Sequence, residues 1–209
     1  MLPIIISAPH AQSEILDDNI RERIALSDYE IWKCSDPFTG DLEQFTCASF
    51  KHVATTHRLI CDFNRRPEPK YAFHEEDFFG RTVFKPGQEF SHGEKQELID
   101  KHWFPYHKEI LESVKTLDQE GHEIILIIDY HNTSGDHPLS QHHEYMPSIV
   151  LSNLGEEFDG HGAKVSVPAM CLQFLAEKIS THLEVGVEIN TVFKGGFNTV
   201  WFKIGRAHV

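Results

Sequence analysis

The sequence lacks the features that mark membrane and secreted proteins. No apolar run approaches the roughly eighteen residues that a membrane-spanning helix requires. The amino-terminal segment MLPIIISAPH has no basic residues before its short apolar run, so it predicts a first β-strand and not a signal peptide. The four cysteines show no CxxC spacing, which fits reduced thiols. These absences predict a cytoplasmic protein with no membrane partner.

The chain also has no basic run, and its formal net charge is -13. This balance argues against nucleic acid and anionic lipid as partners. With 209 residues, 40% of them hydrophobic and 24% charged, the chain can bury a sizeable core and has the composition of an ordinary soluble protein. The fifteen histidines are scattered, so we consider as functional candidates those that follow predicted strands.

The clearest strand signal is the segment EIILIIDYHN, Glu123 to Asn132. Its isoleucine-rich run predicts a strand buried on both faces, as in a parallel sheet covered by helices. Polarity changes at Asp129, His131 and Asn132, and ligands of open α/β sheets bind at the carboxyl ends of strands. A neutral imidazole there could be a zinc ligand. Alternatively, His131 is a capping residue that satisfies loop carbonyls.

The other segments alternate between the spacing of apolar residues typical of strands and the spacing typical of helices. Pro105 should kink or split the longest helix, and Gly121 should end it. We interpret residues 67–93 as a long excursion over the site. The alternation predicts an α/β fold with three layers, a mainly parallel or mixed sheet, and helices on both faces. Strands are predicted at 3–7, 29–32, 56–66, 123–132, 148–151 and 185–190, and helices at 14–26, 42–50, 94–119 and 169–182.

Three predicted strand ends carry unusual polar groups: PH at 9–10, DFNRR at 62–66 and DYHN at 129–132. In this order and at these separations, they resemble the N-formylglutamate amidohydrolase family. That family shows a PHxG-like motif, an acidic DPyvdeL-type segment, RxxxDxNR, a helix containing PYH, DxH, and a late NxxxKGG. The counterparts here are SAPHAQ, SDPFTGDL, RLICDFNR, FPYHKEI, IIDYHN and INTVFKGGF, which together cover nearly the whole chain.

The resemblance implies a zinc-carboxypeptidase-like (phosphorylase/hydrolase-like) fold, shared with deacylases of N-acyl amino acids. It implies hydrolysis of the amide of N-formylglutamate, an intermediate of histidine degradation, or of a related small N-acyl amino acid. The cofactor would be Zn2+ or another divalent metal. Such an ion lowers the pKa of bound water to about 7 and polarises the scissile carbonyl. A catalytic zinc site needs three protein ligands and one open position.

His10 and His131 are the candidate nitrogen ligands of this metal. Two carboxylates compete for the third position. Glu14 follows His10 by four residues, so the two could share a helix face; alternatively, Glu14 is a first-turn carboxylate that favours the helix dipole. Asp36 falls on the acidic position of the family's DPyvdeL segment, and we favour it for that reason. Asp129 could orient a ligand histidine or be an ordinary acid at a strand end.

The resemblance also suggests residues that hold the substrate. A guanidinium forms two parallel hydrogen bonds with a carboxylate, which every N-acyl amino acid carries. Arg65 and the neighbouring Asn64 are therefore the predicted clamp, with Arg58 and Arg66 as possible second cations or, alternatively, exposed charges on a strand edge. His107 in the PYH motif could be catalytic or could serve packing. A further pocket wall is predicted from Asn190, Lys194, Gly195 and Gly196, whose glycines allow close approach of substrate.

The last seven residues, KIGRAHV at 203–209, depart from the family pattern. They read like the translation of a sequencing adapter, so we expect one metallohydrolase domain over 1–202, incomplete at its carboxyl end, and a non-native tail. The family's general-base glutamate is then expected beyond residue 202, with Glu188 as the alternative within the chain. A second hypothesis follows, namely a non-catalytic protein that binds metal and a carboxylate ligand on the same fold.

Overall fold

The computed structural model describes residues 2–133, 147–153, 166–191, 193 and 198. The chain divides into two compact units, Met1–Ser134 and Gly135–Val209. Each unit contains its own parallel sheet, and helices alternate with the strands along the chain. The predicted α/β class is therefore confirmed. The single domain expected over 1–202 and the non-native tail at 203–209 stay predictions.

The first unit is built on a three-stranded sheet in the order β2-β1-β3. The strands are β1 (Leu2–Ala8), β2 (Ala48–Val53) and β3 (Leu126–Asp129), and both pairings are parallel. The central strand carries the most buried side chains, with Ile5 and Ile6 at most 1% exposed. In β3, Ile128 is 37% exposed. The prediction of a strand buried on both faces is therefore wrong for β3 and describes β1.

All three strands point their carboxyl ends to the same edge because both pairings are parallel. Ser7 of β1 lies beside Asp129 of β3 in the register. The backbone stays paired past the strand ends, since the amide of Tyr130 donates to the carbonyl of Ser7 at 2.7 Å. His10 and His131, each two residues beyond its strand, are thereby delivered to one edge of the sheet.

Two short helices follow β1, and both differ from the prediction. The helix expected over 14–26 is reduced to α1 (Asp18–Arg23), because the Asp17 side chain caps the amides of Asn19 and Ile20 and starts the helix there. The strand expected at 29–32 is wrong. This segment is helix α2 (Asp28–Lys33), which begins with a reciprocal capping box. Its sequence signature is Ser27 followed three residues later by Glu30.

Two further predictions between α2 and the long helix are wrong. The helix expected at 42–50 is wrong, because residues 48–50 belong to strand β2, which continues to residue 53. The expected strand 56–66 consists of turns, although its apolar residues Leu59, Cys61 and Phe63 are at most 1% exposed. A buried apolar run is compatible with several backbone conformations, and here burial was predicted correctly while the conformation was not.

The long helical segment is split, as its proline predicted. Helix α3 (His92–Leu98) passes through a π-helical turn (Ile99–Trp103) into α4 (Phe104–Gln119), with Pro105 in the first turn of α4. Proline has no amide hydrogen to donate, and the change in hydrogen-bond spacing accommodates this loss. Helix α4 packs against β1 and β2. Gly121 ends the segment at φ +85°, a conformation that favours glycine.

The second unit contains β4 (Ile149–Leu151), α5 (Ala169–Leu183) and β5 (Val187–Ile189). The two strands are parallel neighbours, so the predicted elements at 148–151, 169–182 and 185–190 are confirmed. Within the described ranges, no helix has both the length and the apolar character needed to cross a bilayer.

Candidate metal centre

Three residues at the carboxyl edge of the first unit's sheet could together hold a metal ion. The ligand atoms of His10, Asp36 and His131 all lie within 4.8 Å of one another. His10 follows β1 and His131 follows β3, while Asp36 follows the carboxyl end of α2. The amide of Asp36 donates to the carbonyl of His10 at 2.9 Å, which fixes the two segments side by side. The structure thus brings together the three residues predicted as ligands.

His10 is oriented for binding through its Nδ1 atom. The residue is 3% exposed, and its Nε2 lies 2.8 Å from Oδ1 of Asp62. An ionised carboxylate can only accept, so Nε2 carries the hydrogen and Nδ1 keeps its lone pair. Nδ1 is buried without a hydrogen-bond partner and lies 3.4 Å from Oδ2 of Asp36. A buried acceptor without a donor is costly, and a bound cation would satisfy it.

Asp62 is a fully buried hub behind His10. Its Oδ1 contacts Nε2 of His10 and accepts from the Asn64 amide, and its Oδ2 contacts Nη2 of Arg58 and Nε2 of His74, each at 2.8 Å. Burial alone would raise the pKa of Asp62, but Arg58 and then His10 hold it well below its usual range. The carboxylate is therefore ionised and fixes the ring of His10.

His131 is held between two carboxylates. Its Nδ1 lies 2.7 Å from Oδ2 of Asp36, and its Nε2 lies 3.0 Å from Oδ2 of Asp129. Partial burial alone would lower the pKa of His131, but Asp129 and then Asp36 raise it to about 10. The amide nitrogen of Asn64 is 3.2 Å from the same Nε2. Both carboxylates can only accept, so both ring nitrogens of His131 donate; the Asn64 nitrogen and Nε2 are then two donors, and their contact is not a hydrogen bond.

Asp36 completes the group between the two histidines. The residue is 5% exposed, and its carbonyl accepts from the Thr39 hydroxyl at 2.7 Å. Burial would raise the pKa of Asp36, but the interactions with His10 and His131 outweigh it and keep the carboxyl ionised. Two imidazole nitrogens and one carboxylate oxygen are a ligand set found in catalytic zinc sites. The orphaned nitrogen and this donor set fit a divalent metal.

Glu14, the competing carboxylate, lies outside this group. It sits in a bend before α1, so the helix face that it was expected to share with His10 does not exist. The alternative of a first-turn carboxylate is wrong for the same reason. Glu14 is exposed and does not belong to the group that could hold a metal.

The predicted carboxylate clamp lies beside Asp62. Arg65 keeps 52% of its side chain exposed, with Nε 3.9 Å from Oδ2 of Asp62. Its backbone is anchored, because the indole of Trp103 donates to its carbonyl at 3.0 Å. Arg58 differs, since its guanidinium binds Asp62 and stacks over the ring of Phe78 at 4.5 Å. Its role as a second substrate cation stays a prediction.

The pocket wall predicted from the late motif belongs to the second unit. Asn190 adopts φ +54°, and its side-chain amide exchanges hydrogen bonds with Asn153 at 2.9 and 3.1 Å. Lys194, Gly195 and Gly196 lie outside the described residues. The substrate-binding role of all four stays a prediction.

His107 serves packing, the second of the two roles considered for it. It is 2% exposed, its ring stacks on Trp103 at 3.6 Å, and its Nδ1 contacts the Trp103 carbonyl at 2.9 Å. Sequence reasoning missed the roles of Asp62, His74 and Tyr106. Asp62 stood inside a quoted motif, whereas nothing local in the sequence distinguishes His74 from the other histidines.

The fold and this centre define an α/β protein with a candidate His-Asp-His metal centre at the carboxyl edge of a parallel sheet. The sequence profile of the family described as N-formylglutamate amidohydrolase matches residues 2–208. The chain belongs to this family of hydrolases, so the predicted family is confirmed.

One solved structure supports the fold independently. It is the crystal structure of gene product Atu2144 from Agrobacterium tumefaciens, with a TM-score of 0.56 and 14% sequence identity. The match covers 91% of this chain and 68% of that chain. At this identity the similarity concerns the fold alone. No curated protein matches the chain significantly.

Proposed function

We propose that this chain hydrolyses the amide bond of N-formylglutamate or a related N-acyl amino acid in a metal-dependent reaction. The metal, zinc or another divalent ion, would be held by Nδ1 of His10, a carboxylate oxygen of Asp36 and Nδ1 of His131. The observation that carries the proposal is the buried, unpartnered Nδ1 of His10, aimed at the other two ligands. A cytoplasmic location and a role in histidine degradation stay predictions from the sequence.

The bound ion would supply a water of lowered pKa and would polarise the scissile carbonyl. The chain's own residues prepare this chemistry. Asp62 and Asp129 accept hydrogen bonds from Nε2 of the two histidines, so Nδ1 of each ring is the atom that would bind the metal, and the hydrogen that Nδ1 of His131 shares with Asp36 would leave when the ion binds. Asp36 contributes one negative charge at the centre, and the open position is left to water and substrate.

Arg65 is the proposed clamp for the substrate's carboxylate. Its side chain is 52% exposed, and its Nε lies 3.9 Å from Oδ2 of Asp62, the carboxylate behind His10, so a substrate carboxylate can reach its planar fork. Asn64, whose side-chain nitrogen lies 3.2 Å from Nε2 of His131, would contact the scissile amide or the carboxylate. The general base stays a prediction from the sequence, with Glu188 of β5 as the candidate among the described residues.

The test is hydrolysis of a panel of N-formyl, N-acetyl and N-succinyl amino acids by the chain before and after chelation. We expect formylglutamate or a close analogue to be cleaved, loss of cleavage on metal removal, and recovery on adding zinc. Cleavage that survives complete chelation would overturn the metal dependence. Binding of zinc and substrate without any cleavage would instead support the non-catalytic hypothesis.

Arg65→Lys tests the clamp in the same assay. Lysine keeps the charge but loses the bidentate fork, so binding should weaken by about 1.5 to 3 kcal/mol. The control is Arg21→Lys in α1, whose guanidinium binds the carboxylate of Asp28, and it should leave substrate binding unchanged. Equal binding of the N-acyl amino acid by wild type and Arg65→Lys would refute the clamp.

A further inference from the structure

A chain of hydrogen bonds runs from helix α4 to the candidate ligand His131. The Tyr106 hydroxyl lies 2.9 Å from Oγ of Ser7, and that Oγ donates to Oδ1 of Asp129 at 3.0 Å. The other oxygen of Asp129 lies 3.0 Å from Nε2 of His131. We propose that Tyr106 and Ser7 are positioning residues that set the orientation of His131 for metal binding. This inference rests on the proposed function.

The direction of each bond follows from the inventory of donors. Ser7 has one hydroxyl hydrogen, and the ionised carboxylate of Asp129 can only accept it. The Tyr106 hydroxyl must therefore donate to Ser7. Asp129 accepts from Nε2 of His131 through its second oxygen, which leaves Nδ1, 2.7 Å from Oδ2 of Asp36, as the atom directed at the candidate metal position. The chain of bonds thus fixes which nitrogen of His131 faces that position.

Both hydroxyls are held in place by their surroundings. Ser7 is 1% exposed and lies beside Asp129 in the parallel register of β1 and β3. Tyr106 is 7% exposed, and its ring stacks on Phe63 with centroids 4.8 Å apart. Burial raises the pKa of Tyr106 above its usual value, so the hydroxyl stays protonated as a donor. The carboxylate of Asp129 is therefore tied to a rigid part of the fold.

A buried hydroxyl also needs a partner for stability alone, and the molecule offers a matched example. Ser113, on the same helix and 5% exposed, pairs with His52 on β2 at 2.9 Å. This pair links α4 to the sheet without reaching any candidate ligand. Ser113→Ala therefore measures what the loss of a buried hydroxyl costs when it has no role in positioning His131.

The experiment compares Tyr106→Phe, Ser7→Ala, the double variant and Ser113→Ala in the full chain. Zinc affinity is measured by competition with a chelator, the visible spectrum of the cobalt-loaded protein reports ligand geometry, and urea unfolding of the metal-free protein reports stability. Outer partners of metal ligands typically contribute 10–100-fold in affinity. These hydroxyls are one bond further out, so we expect roughly 3- to 10-fold weaker zinc binding and an altered cobalt spectrum.

The double variant should bind zinc about as weakly as Ser7→Ala alone, because Tyr106 acts through Ser7. Ser113→Ala should lose stability while keeping zinc affinity and the cobalt spectrum. If Tyr106→Phe and Ser7→Ala both bound zinc with wild-type affinity, or lost no more zinc affinity than Ser113→Ala, the inference would be overturned while the proposed function would stand. A wild-type chain that binds no zinc would overturn the proposed function, and the inference with it.

Discussion

The two candidate histidine ligands are oriented by carboxylates in contrasting environments. Asp62, behind His10, is fully buried and bonded to the guanidinium of Arg58. Asp129, behind His131, is 14% exposed in its side chain and accepts from the neutral hydroxyl of Ser7. One histidine therefore faces a carboxylate that is also bonded to a guanidinium, and the other faces a carboxylate that is also bonded to a neutral hydroxyl.

This difference separates two tasks. A buried carboxylate bonded to a buried cation is part of the fold's stability, because removing either partner strands the other charge. A carboxylate paired with a histidine and a hydroxyl acts mainly on the histidine, and Asp129 contributes to raising the pKa of His131 to about 10. We therefore expect Asp62 to govern stability and Asp129 to govern metal affinity.

Asp62→Asn should give the largest effect. The substitution leaves the Arg58 guanidinium without its carboxylate, and breaking a buried pair costs about 3 to 5 kcal/mol. The free energy of unfolding of the metal-free chain, measured with urea, should fall by that amount. A loss below about 1 kcal/mol, the typical value of one exposed ion pair, would contradict the stabilising role of Asp62.

The same pair gives a pH signature. The pKa of Asp62 is lowered in the folded chain, so the unfolded chain binds its proton first as pH falls. Its stabilisation is thus present above the unfolded pKa of about 3.9 and is lost as pH falls below that value. As pH falls below about 4, urea midpoints of the wild-type chain should decline more steeply than those of Asp62→Asn.

Asp129→Asn should change metal affinity more than stability. Removing the carboxylate frees the His131 ring to rotate and lowers its basicity, which should weaken zinc binding about 10- to 100-fold. Chelator competition measures this loss, and urea unfolding should show a smaller loss than Asp62→Asn. If Asp129→Asn instead destabilised the chain as much as Asp62→Asn, the two carboxylates would not differ as proposed.

His74→Ala should have the smallest effect of the three. It removes one of the donors to Asp62, while Arg58 and the Asn64 amide continue to hold the carboxylate. We expect a loss of about 1 to 2 kcal/mol in unfolding free energy and less than about threefold in zinc affinity. A change in zinc affinity as large as that of Asp129→Asn would show that His74 acts on the metal ligands.

The sequence predicted contiguous features of this molecule better than distant contacts. Strand β1, the split at Pro105 and the elements of the second unit follow from local patterns of polarity and from proline. The prediction of a strand at 56–66 was wrong. Its apolar residues predict burial, but burial does not determine the backbone conformation. Helix α2 was missed because its capping signal was outweighed by aromatic and β-branched residues.

The candidate site was predictable where each residue follows a strand or matches a motif. His10, Asp36 and His131 were identified in this way, and the structure brings them together. The partners behind the histidines were not, since the contacts join segments far apart in the chain: Asp62 contacts His10 across 52 positions, and Tyr106 reaches Ser7 across 99 positions. Only the folded chain shows such contacts.

The most direct measurement is the metal content of the purified chain and of its ligand variants after dialysis against zinc. We predict one equivalent in the wild-type chain and in Glu14→Ala, and near-complete loss in His10→Ala, Asp36→Ala and His131→Ala, each with secondary structure preserved by circular dichroism. Retention of a full equivalent by His131→Ala, or loss of zinc in Glu14→Ala with retention in Asp36→Ala, would contradict the proposed metal centre.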